Sequence, residues 1–326
     1  MEREPLLQVV NLKKYFVKEK NLFGKIKSQL KAVDDVSFSI EMGTVFGLVG
    51  ESGCGKSTIA KTILSLSDAT EGCIKFNGNV ICDTKSGVKL NNSEMVKLRK
   101  DLQIIFQDPY SSLNPKMSVR TIIQEGMKKH NVVSKENLED KSIELLKSCG
   151  LDSSFLDRFP HELSGGQRQR VCIARALSVE PKFIICDEPT AALDVSIQSQ
   201  ILNLIMDLKR ELNLTYLFIS HNLEVVKYLC DNVAVMYLGK IVEIGTKEEI
   251  FESPMHPYTK LLLNSIPITH PKHRKKMKNI KEYEVCNEGL CAFYNRCHSR
   301  DEKCLKAESK LIKISETHYV RCSNII

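Results

Sequence analysis

One stretch constrains this chain more than any other: Gly50-Glu51-Ser52-Gly53-Cys54-Gly55-Lys56-Ser57-Thr58. It satisfies the pattern G-x-x-x-x-G-K-S/T. It lies between an apolar run, TVFGLVG, and KSTIAKTILSLS, which reads as a helix. Strand, glycine loop and helix in that order are the setting a phosphate-binding loop requires. Gly50, Gly53 and Gly55 permit a loop whose backbone N–H groups turn inward, and the helix start behind them adds further donors for phosphate oxygens. Lys56 supplies a charge for the β- and γ-phosphates, and the Ser57 hydroxyl is the expected Mg²⁺ ligand. An ordinary glycine turn would need neither the lysine nor the flanking strand and helix.

Magnesium needs a second anchor, and FIICDEPT provides one. Apolar Phe183–Cys186 leads into Asp187 and Glu188. A carboxylate at the end of a buried parallel strand lies at the usual ligand-binding edge of an α/β sheet. Asp187 is expected to hold Mg²⁺ through water. Glu188 is then left to polarise an attacking water. A second glycine pair follows in LSGGQ, Leu163-Ser164-Gly165-Gly166-Gln167, ahead of the helical RQRVCIARAL. Exposed N–H groups at a helix start form another anion site. One nucleotide does not need two γ-phosphate sites in one chain. A head-to-tail dimer is therefore expected, with each signature segment closing on the partner's nucleotide.

Along the rest of the chain, residues 7–12 and 32–40 read as short strands, and CIKFNGNVI as a strand with an Asn-Gly turn. Residues 108–162 read as mostly helical, broken at Pro109, Pro115 and Pro160. SIQSQILNLIMDLKREL reads as a long amphipathic helix, and TYLFIS and NVAVMYL as strands with a helix between them. Alternating strands and helices predict a parallel or mixed sheet covered by helices.

With the phosphate loop, LSGGQ and DEPT in order, the chain resembles an ABC-type ATPase subunit over about residues 7–266. The resemblance implies an α/β fold: a P-loop RecA-like core sheet with an antiparallel β subdomain and a helical subdomain over about 108–162. It implies ATP and Mg²⁺ as ligands. Tyr15 takes the place of the adenine-stacking aromatic, with Phe16 the competing choice. Gln107 takes that of the glutamine that touches Mg²⁺ and senses the membrane partner. Asp194 matches the dimer-interface aspartate, and His221 the histidine that contacts the γ-phosphate and positions the water. Lys56, Gln107, Glu188 and His221 are thus the expected catalytic set. Asn222 follows His221 where aspartate is frequent, and alanine opens AALD where serine is frequent. Neither departure is expected to remove chemistry.

The insertion NLFGKIKSQLKAVDDVSF, with GESGCGKST, IFQDPYSSLNP, SGGQRQR, LTYLFISHNL, MYLGKIVEIG and PMHPYTKLLLNSIP, narrows the likeness to oligopeptide/dipeptide importer ATPases. The insertion resembles that of the "F" partner in a pair of unlike ATPases. The implied partners are that second ATPase in a heterodimer, two transmembrane permease subunits and an extracytoplasmic peptide-binding protein. The implied location is peripheral, on the cytoplasmic face of the membrane. A nickel or other-solute importer is the nearest alternative, and a non-transport ABC ATPase the more distant one. The second would show tandem ATPase units, or a long coiled coil between Ser57 and Ser164. Neither pattern is present in the sequence.

Charge and cysteine usage divide the chain. The net charge is +7 over 326 residues, and +6 of it falls from His270 onward. A domain boundary is expected near Pro267–Pro271, giving an ATPase domain over 1–266 and an extension over 267–326. The first 269 residues are nearly neutral at +1, which gives no footprint for nucleic acid. No apolar run approaches the roughly 18–20 residues that span a bilayer, and the charged MEREPLLQVV lacks a signal-peptide core, so a cytosolic chain is expected. Five of the 12 cysteines crowd the last 41 residues. Cys291, Cys297, Cys304 and Cys322 form a set of four soft donors suited to zinc or iron–sulfur, although the tight C-x2-C pairs of structural zinc are missing. The peptide-importer likeness implies a 4Fe–4S cluster on these four. Zinc and free or disulfide-linked thiols are the alternatives, and Cys286 is a reserve ligand. The basic run KHRKKMK reads as a solvated linker or, alternatively, an anionic-lipid contact.

Overall fold

The computed structural model describes residues 4–20, 26–265, 291–306 and 310–324. In chain order the elements begin with β1 (Leu7–Lys20), β2 (Ile26–Ile40), β3 (Val45–Val49), α1 (Lys56–Ile63), β4 (Glu71–Phe76), β5 (Asn79–Asp83) and β6 (Val88–Lys89). There follow α2 (Asn92–Asp101), β7 (Leu102–Ile105), α3 (Pro109–Ser112), α4 (Val119–His130), α5 (Leu138–Ser148), α6 (Gly165–Leu177), β8 (Phe183–Asp187), α7 (Val195–Leu212) and β9 (Thr215–Ser220). The chain closes with α8 (Leu223–Leu229), β10 (Asn232–Tyr237), β11 (Lys240–Thr246), α9 (Lys247–Glu252), α10 (Pro257–Asn264), α11 (Lys303–Lys306), β12 (Ile312–Lys313) and β13 (Tyr319–Val320). The elements group into two compact units.

The strand-rich unit comprises Leu7–Ser39, Phe46–Val88 and the chain from Ser220 onward. Its first sheet has the order β2-β1-β4-β5-β6. β1 and β2 run well beyond the short strands expected at 7–12 and 32–40. The added length is mostly exposed, and its apolar residues (Phe16, Val17, Ile26 and Leu30 among them) do not alternate regularly with polar ones, so no period-2 stripe marks it for a sequence reading. The Asn-Gly turn falls where expected, between β4 and β5. In the unit's other group of strands, β10 runs parallel to β3 with Val235 opposite Val49, and antiparallel to β11. β3 is buried along its whole length, as a strand covered on both faces must be. Two short strands of the C-terminal segment add to this group. Val320 and Tyr319 of β13 pair with Glu243 and Ile244 of β11, and β12 pairs with β13.

The helix-rich unit comprises the chain up to Leu6, Ile40–Val45 and Lys89–Ile219. β7, β8 and β9 are parallel in that order, with Ile105 opposite Cys186 and Asp187 opposite Ile219. All residues of β8 and β9 are buried. α6 is the spine of the helical part: α3, α4, α5 and α7 all touch it. Val171, Cys172, Ile173, Ala174, Ala176 and Leu177 bury its C-terminal half. Pro109 and Pro160 do not interrupt helices, as the sequence suggested. Each starts one, in α3 and in a single 3-10 turn at Pro160–Glu162. The first turn has no use for the missing N–H, and the fixed φ suits it.

Candidate functional site

In the strand-rich unit, the loop Gly50–Gly55 joins β3 to α1. Gly55 caps the helix with φ +111°, a value L side chains avoid, and a Cβ there would collide with the Ala32 carbonyl. Lys56 is buried and its Nζ turns back on the loop, donating to the Gly50 carbonyl at 2.9 Å and the Glu51 carbonyl at 3.0 Å, with the Cys54 thiol at 3.8 Å. The loop therefore curls around its own ammonium group. Ser52 and Gly53 are exposed, and Ser57 and Thr58 are half-buried at the head of α1.

Two other expected residues lie in this unit. The Tyr15 hydroxyl donates to the Asp34 carboxylate, and Lys31 Nζ stands 5.8 Å from its ring centroid. Phe16 follows on the opposite face of the strand, 41% exposed. His221 is exposed just beyond β9. Asn222 caps α8, accepting the Glu224 and Val225 N–H groups at 3.0 and 3.4 Å. Asparagine thus does at this position what an aspartate would do.

In the helix-rich unit, Asp187 ends β8 and is buried. Glu188 follows with φ +48°, in the left-handed region that a glutamate occupies only when its surroundings hold it there. The hold is visible: the Glu188 N–H donates to the Ile219 carbonyl at 3.0 Å. Gln107, just beyond β7, donates from Nε2 to Glu188 Oε2 at 3.2 Å. Two residues chosen separately from the sequence thus meet side chain to side chain.

LSGGQ opens α6. Ser164 Oγ accepts the Gln167 N–H at 3.3 Å, and Gln167 Oε1 accepts the Ser164 N–H at 2.9 Å, a reciprocal capping box. Leu163 is buried and anchors the segment, while Ser164 and Gly165 are exposed. A Cβ on Gly166 would stand 2.6 Å from Ile197 Cγ2 of α7, so close packing explains this glycine. Asp194 caps α7, accepting the Ile197 N–H at 3.0 Å and the Ser196 hydroxyl at 2.9 Å. Those bonds hold its carboxyl below the usual range.

The C-terminal segment packs within the strand-rich unit. Burial raises the thiols of Cys291, Cys297 and Cys322, and Cys291 reaches about 11. Cys304, Cys297 and Cys322 add to the rise at Cys291, so the four sulfurs lie within electrostatic reach of one another. They are not drawn into a cage: among the described residues, no three His, Cys, Asp or Glu side chains stand where one metal ion would be held. Cys286 and the basic run at 272–278 lie outside the described residues.

Residues 33–191 match the ABC transporter family, and residues 242–304 match the C-terminal region of oligopeptide/dipeptide transporters. The oligopeptide transport ATP-binding protein AppF of Bacillus subtilis is 44% identical over 98% of this chain and 97% of its own. The chain belongs to the ATP-binding subunits of oligopeptide/dipeptide ABC transporters. The dipeptide transport ATP-binding protein DppF of Haemophilus influenzae is 41% identical over 99% of this chain and 98% of its own. Among solved structures, cbiO1 of Clostridium perfringens aligns with a TM-score of 0.63 at 29% identity, covering 77% of this chain and 92% of its own. A dimeric ATP-binding cassette bound to ADP and Pi also aligns at 0.63, with 26% identity over 74% of this chain and 98% of its own. The fold of this ABC subunit is therefore the ATP-binding cassette, and no helix among its described residues is long and apolar enough to cross a membrane.

Sequence reasoning missed one set of residues in this ABC subunit. Tyr258 of α10 accepts the Glu51 N–H at its hydroxyl, 3.0 Å away. Arg296 grips the Glu51 carboxylate with both terminal nitrogens, at 2.9 Å each. Only the position of Tyr258 in PMHPYTK, and of Arg296 beside Cys297, marks them in the sequence.

Proposed function

We propose that this chain is the ATP-hydrolysing subunit that energises import of di- and oligopeptides through an ABC transporter. The observation that carries the reading is the pairing on one chain of the ABC match with the peptide-transporter C-terminal match. Full-length relatives named for oligopeptide and dipeptide transport support it. A nickel or other-solute importer is the alternative outcome of a transport assay.

Gly50–Thr58 cradle the phosphates of ATP, with Lys56 facing the β- and γ-phosphates and Tyr15 stacking on adenine. Ser57, Gln107 and Asp187 are the Mg²⁺ set, and the ion would neutralise charge that develops on the transferred phosphoryl group. Glu188 polarises the attacking water, and His221 positions it against the γ-phosphate. The strained backbone of Glu188 and its bond from Gln107 support that assignment. Ser164–Gln167 of one subunit close on the ATP of the other, with Asp194 at the interface. The exposure of Ser164 and Gly165 at a helix start suits that role.

The partners in this reading are a second, unlike ABC ATPase, two permease subunits and a peptide-binding protein, with the chain peripheral at the cytoplasmic face. Residues 1–266 act as the ATPase domain and 267–326 as a Cys-rich extension. Cys291, Cys297, Cys304 and Cys322 offer four soft thiols in mutual reach, a donor set suited to a 4Fe–4S cluster or to zinc. Closing the set around a metal would staple a short segment with few large apolar side chains.

The test of the ATPase reading is Glu188→Gln in the full chain. ATP binding is expected to persist while hydrolysis falls at least about a hundredfold, the scale of a lost general base. Hydrolysis at the native rate would remove Glu188 from the mechanism. Protein purified without oxygen, with iron, sulfide and zinc counted, tests the extension: about four irons with matching sulfide are expected, and zinc or no metal would reject the cluster.

A further inference from the structure

The phosphate loop is gripped by the Cys-bearing segment at the far end of the chain. Arg296 Nη1 lies 2.9 Å from Glu51 Oε2 and Nη2 lies 2.9 Å from Glu51 Oε1, across 245 residues of sequence. A two-pronged guanidinium–carboxylate pair is stronger and more directional than a single contact. Arg296 is 18% exposed and its guanidinium lies against Tyr237 and Phe293, 5.5 and 5.7 Å from their centroids. The guanidinium is therefore held by ring packing as well as by charge, while the Glu51 side chain is 43% exposed on the loop.

A second contact reaches the same residue. Phe293, 2% exposed, is wedged among Tyr237, Tyr258 and His256, at centroid distances of 5.3, 5.5 and 5.8 Å. Tyr258 in turn accepts the Glu51 N–H. Backbone and carboxylate of Glu51 are thus both fixed by groups that the Cys-bearing segment touches or supplies.

We infer that Arg296 is a positioning residue for nucleotide binding that acts through charge: by pairing with Glu51 it neutralises a carboxylate built into the phosphate loop that would otherwise face the triphosphate. The inference rests on the reading that residues 50–58 bind ATP. A bare Glu51 carboxylate in that loop would repel a polyanion, and a pair whose cation comes from the extension removes the repulsion. The extension then belongs to the nucleotide site, besides whatever metal its cysteines hold.

The experiment measures MgATP and MgADP affinity of the full chain by titration, with Lys56→Ala testing the underlying reading. Loss of binding in Lys56→Ala shows that the loop is the nucleotide site, whatever Arg296 does. Arg296→Ala is expected to weaken MgATP about tenfold, which is about 1.4 kcal/mol. Adding Glu51→Gln should bring it back to within about threefold of native, because no bare carboxylate remains. Glu51→Gln alone should tighten binding, since it leaves the Arg296 cation unneutralised. Arg296→Lys, which keeps the charge and loses the fork, should fall between native and Arg296→Ala. Arg300→Ala, elsewhere in the extension, should bind as the native chain does. Melting temperature and metal content are read on each variant. Native affinity in Arg296→Ala, or failure of Glu51→Gln to rescue it, overturns the inference. If Arg296→Ala does not fold, Glu51→Gln alone decides: a loss of affinity there overturns the inference.

Discussion

His256 offers a pH dependence whose size and sign can be worked out. It lies at the head of α10, 2% exposed, and its Nδ1 accepts the Tyr258 N–H at 3.0 Å. A nitrogen that accepts cannot also carry a proton. Burial lowers the imidazole from 6.5 to about 4, with Lys260 adding to the fall and a bond to the Arg321 backbone opposing it. The native state therefore holds this histidine neutral where the unfolded chain would protonate it. The sign follows from linkage: the contribution is fully present above about pH 6.5, falls as pH drops, and is gone below about pH 4. At about 1.36 kcal/mol per pH unit, the window corresponds to about 3 kcal/mol. Carboxylates titrate in the same range, so the comparison is with His256→Asn, which retains a capping oxygen and does not titrate. Urea unfolding from pH 7.5 to 4 is expected to show the native chain losing up to about 3 kcal/mol more than the variant. Parallel curves would refute the reasoning. Because Tyr258 also receives the Glu51 N–H, MgADP affinity should weaken over the same window in the native chain.

Other expectations concern packing and caps. Phe293→Ala removes a buried ring and should cost about 3–5 kcal/mol in chemical unfolding of the strand-rich unit; a loss under about 1 kcal/mol would show that the segment is not docked there in solution. Ser164→Ala deletes the capping oxygen of α6 and should cost about 1 kcal/mol in nucleotide-free protein, a stability effect measurable separately from any loss of ATP-driven dimerisation. Gly166→Ala should destabilise by about 1–3 kcal/mol through its clash with Ile197, and Ile197→Ala in the same chain should recover part of the loss. Equal effects of Gly166→Ala in both backgrounds would place the strain elsewhere.

The docking of the C-terminal segment is polar as well as aromatic. Glu243 is fully buried and accepts the Met255 and His256 N–H groups at 2.7 and 2.9 Å, while its Oε1 lies 2.8 Å from His318 Nε2. Arg321 bonds the Ile241 carbonyl at 3.0 Å and Asp35 Oδ2 at 3.2 Å. Burial alone would raise the Asp35 carboxyl, but bonds from Asn11 and Arg321 outweigh it and lower it overall. The His318 and Arg321 contacts join the extension to residues long separated from it in sequence. Together with β13 on β11, they make the C-terminal segment part of the strand-rich unit.

What the sequence determined by itself is what short-range physics controls. The Gly50–Thr58 loop, the buried runs FIICD and TYLFIS and the Asn-Gly turn each depend on neighbours a few residues away, through backbone freedom, β propensity and local hydrogen bonds. The order of those motifs then identified the ATP-binding cassette. The tertiary structure decided what has no periodic or local signature. The exposed extensions of β1 and β2 are held by pairing in a sheet, where no regular apolar alternation announces them. Gln107 meets Glu188 because β7 and β8 lie side by side, a neighbourhood set by strand order. Arg296 finds Glu51, and His318 finds Glu243, because the C-terminal segment pairs with strands that lie far from it in sequence. A charged side chain looks the same in sequence whether it is solvated or paired; only the fold supplies the opposite charge and removes the water between them.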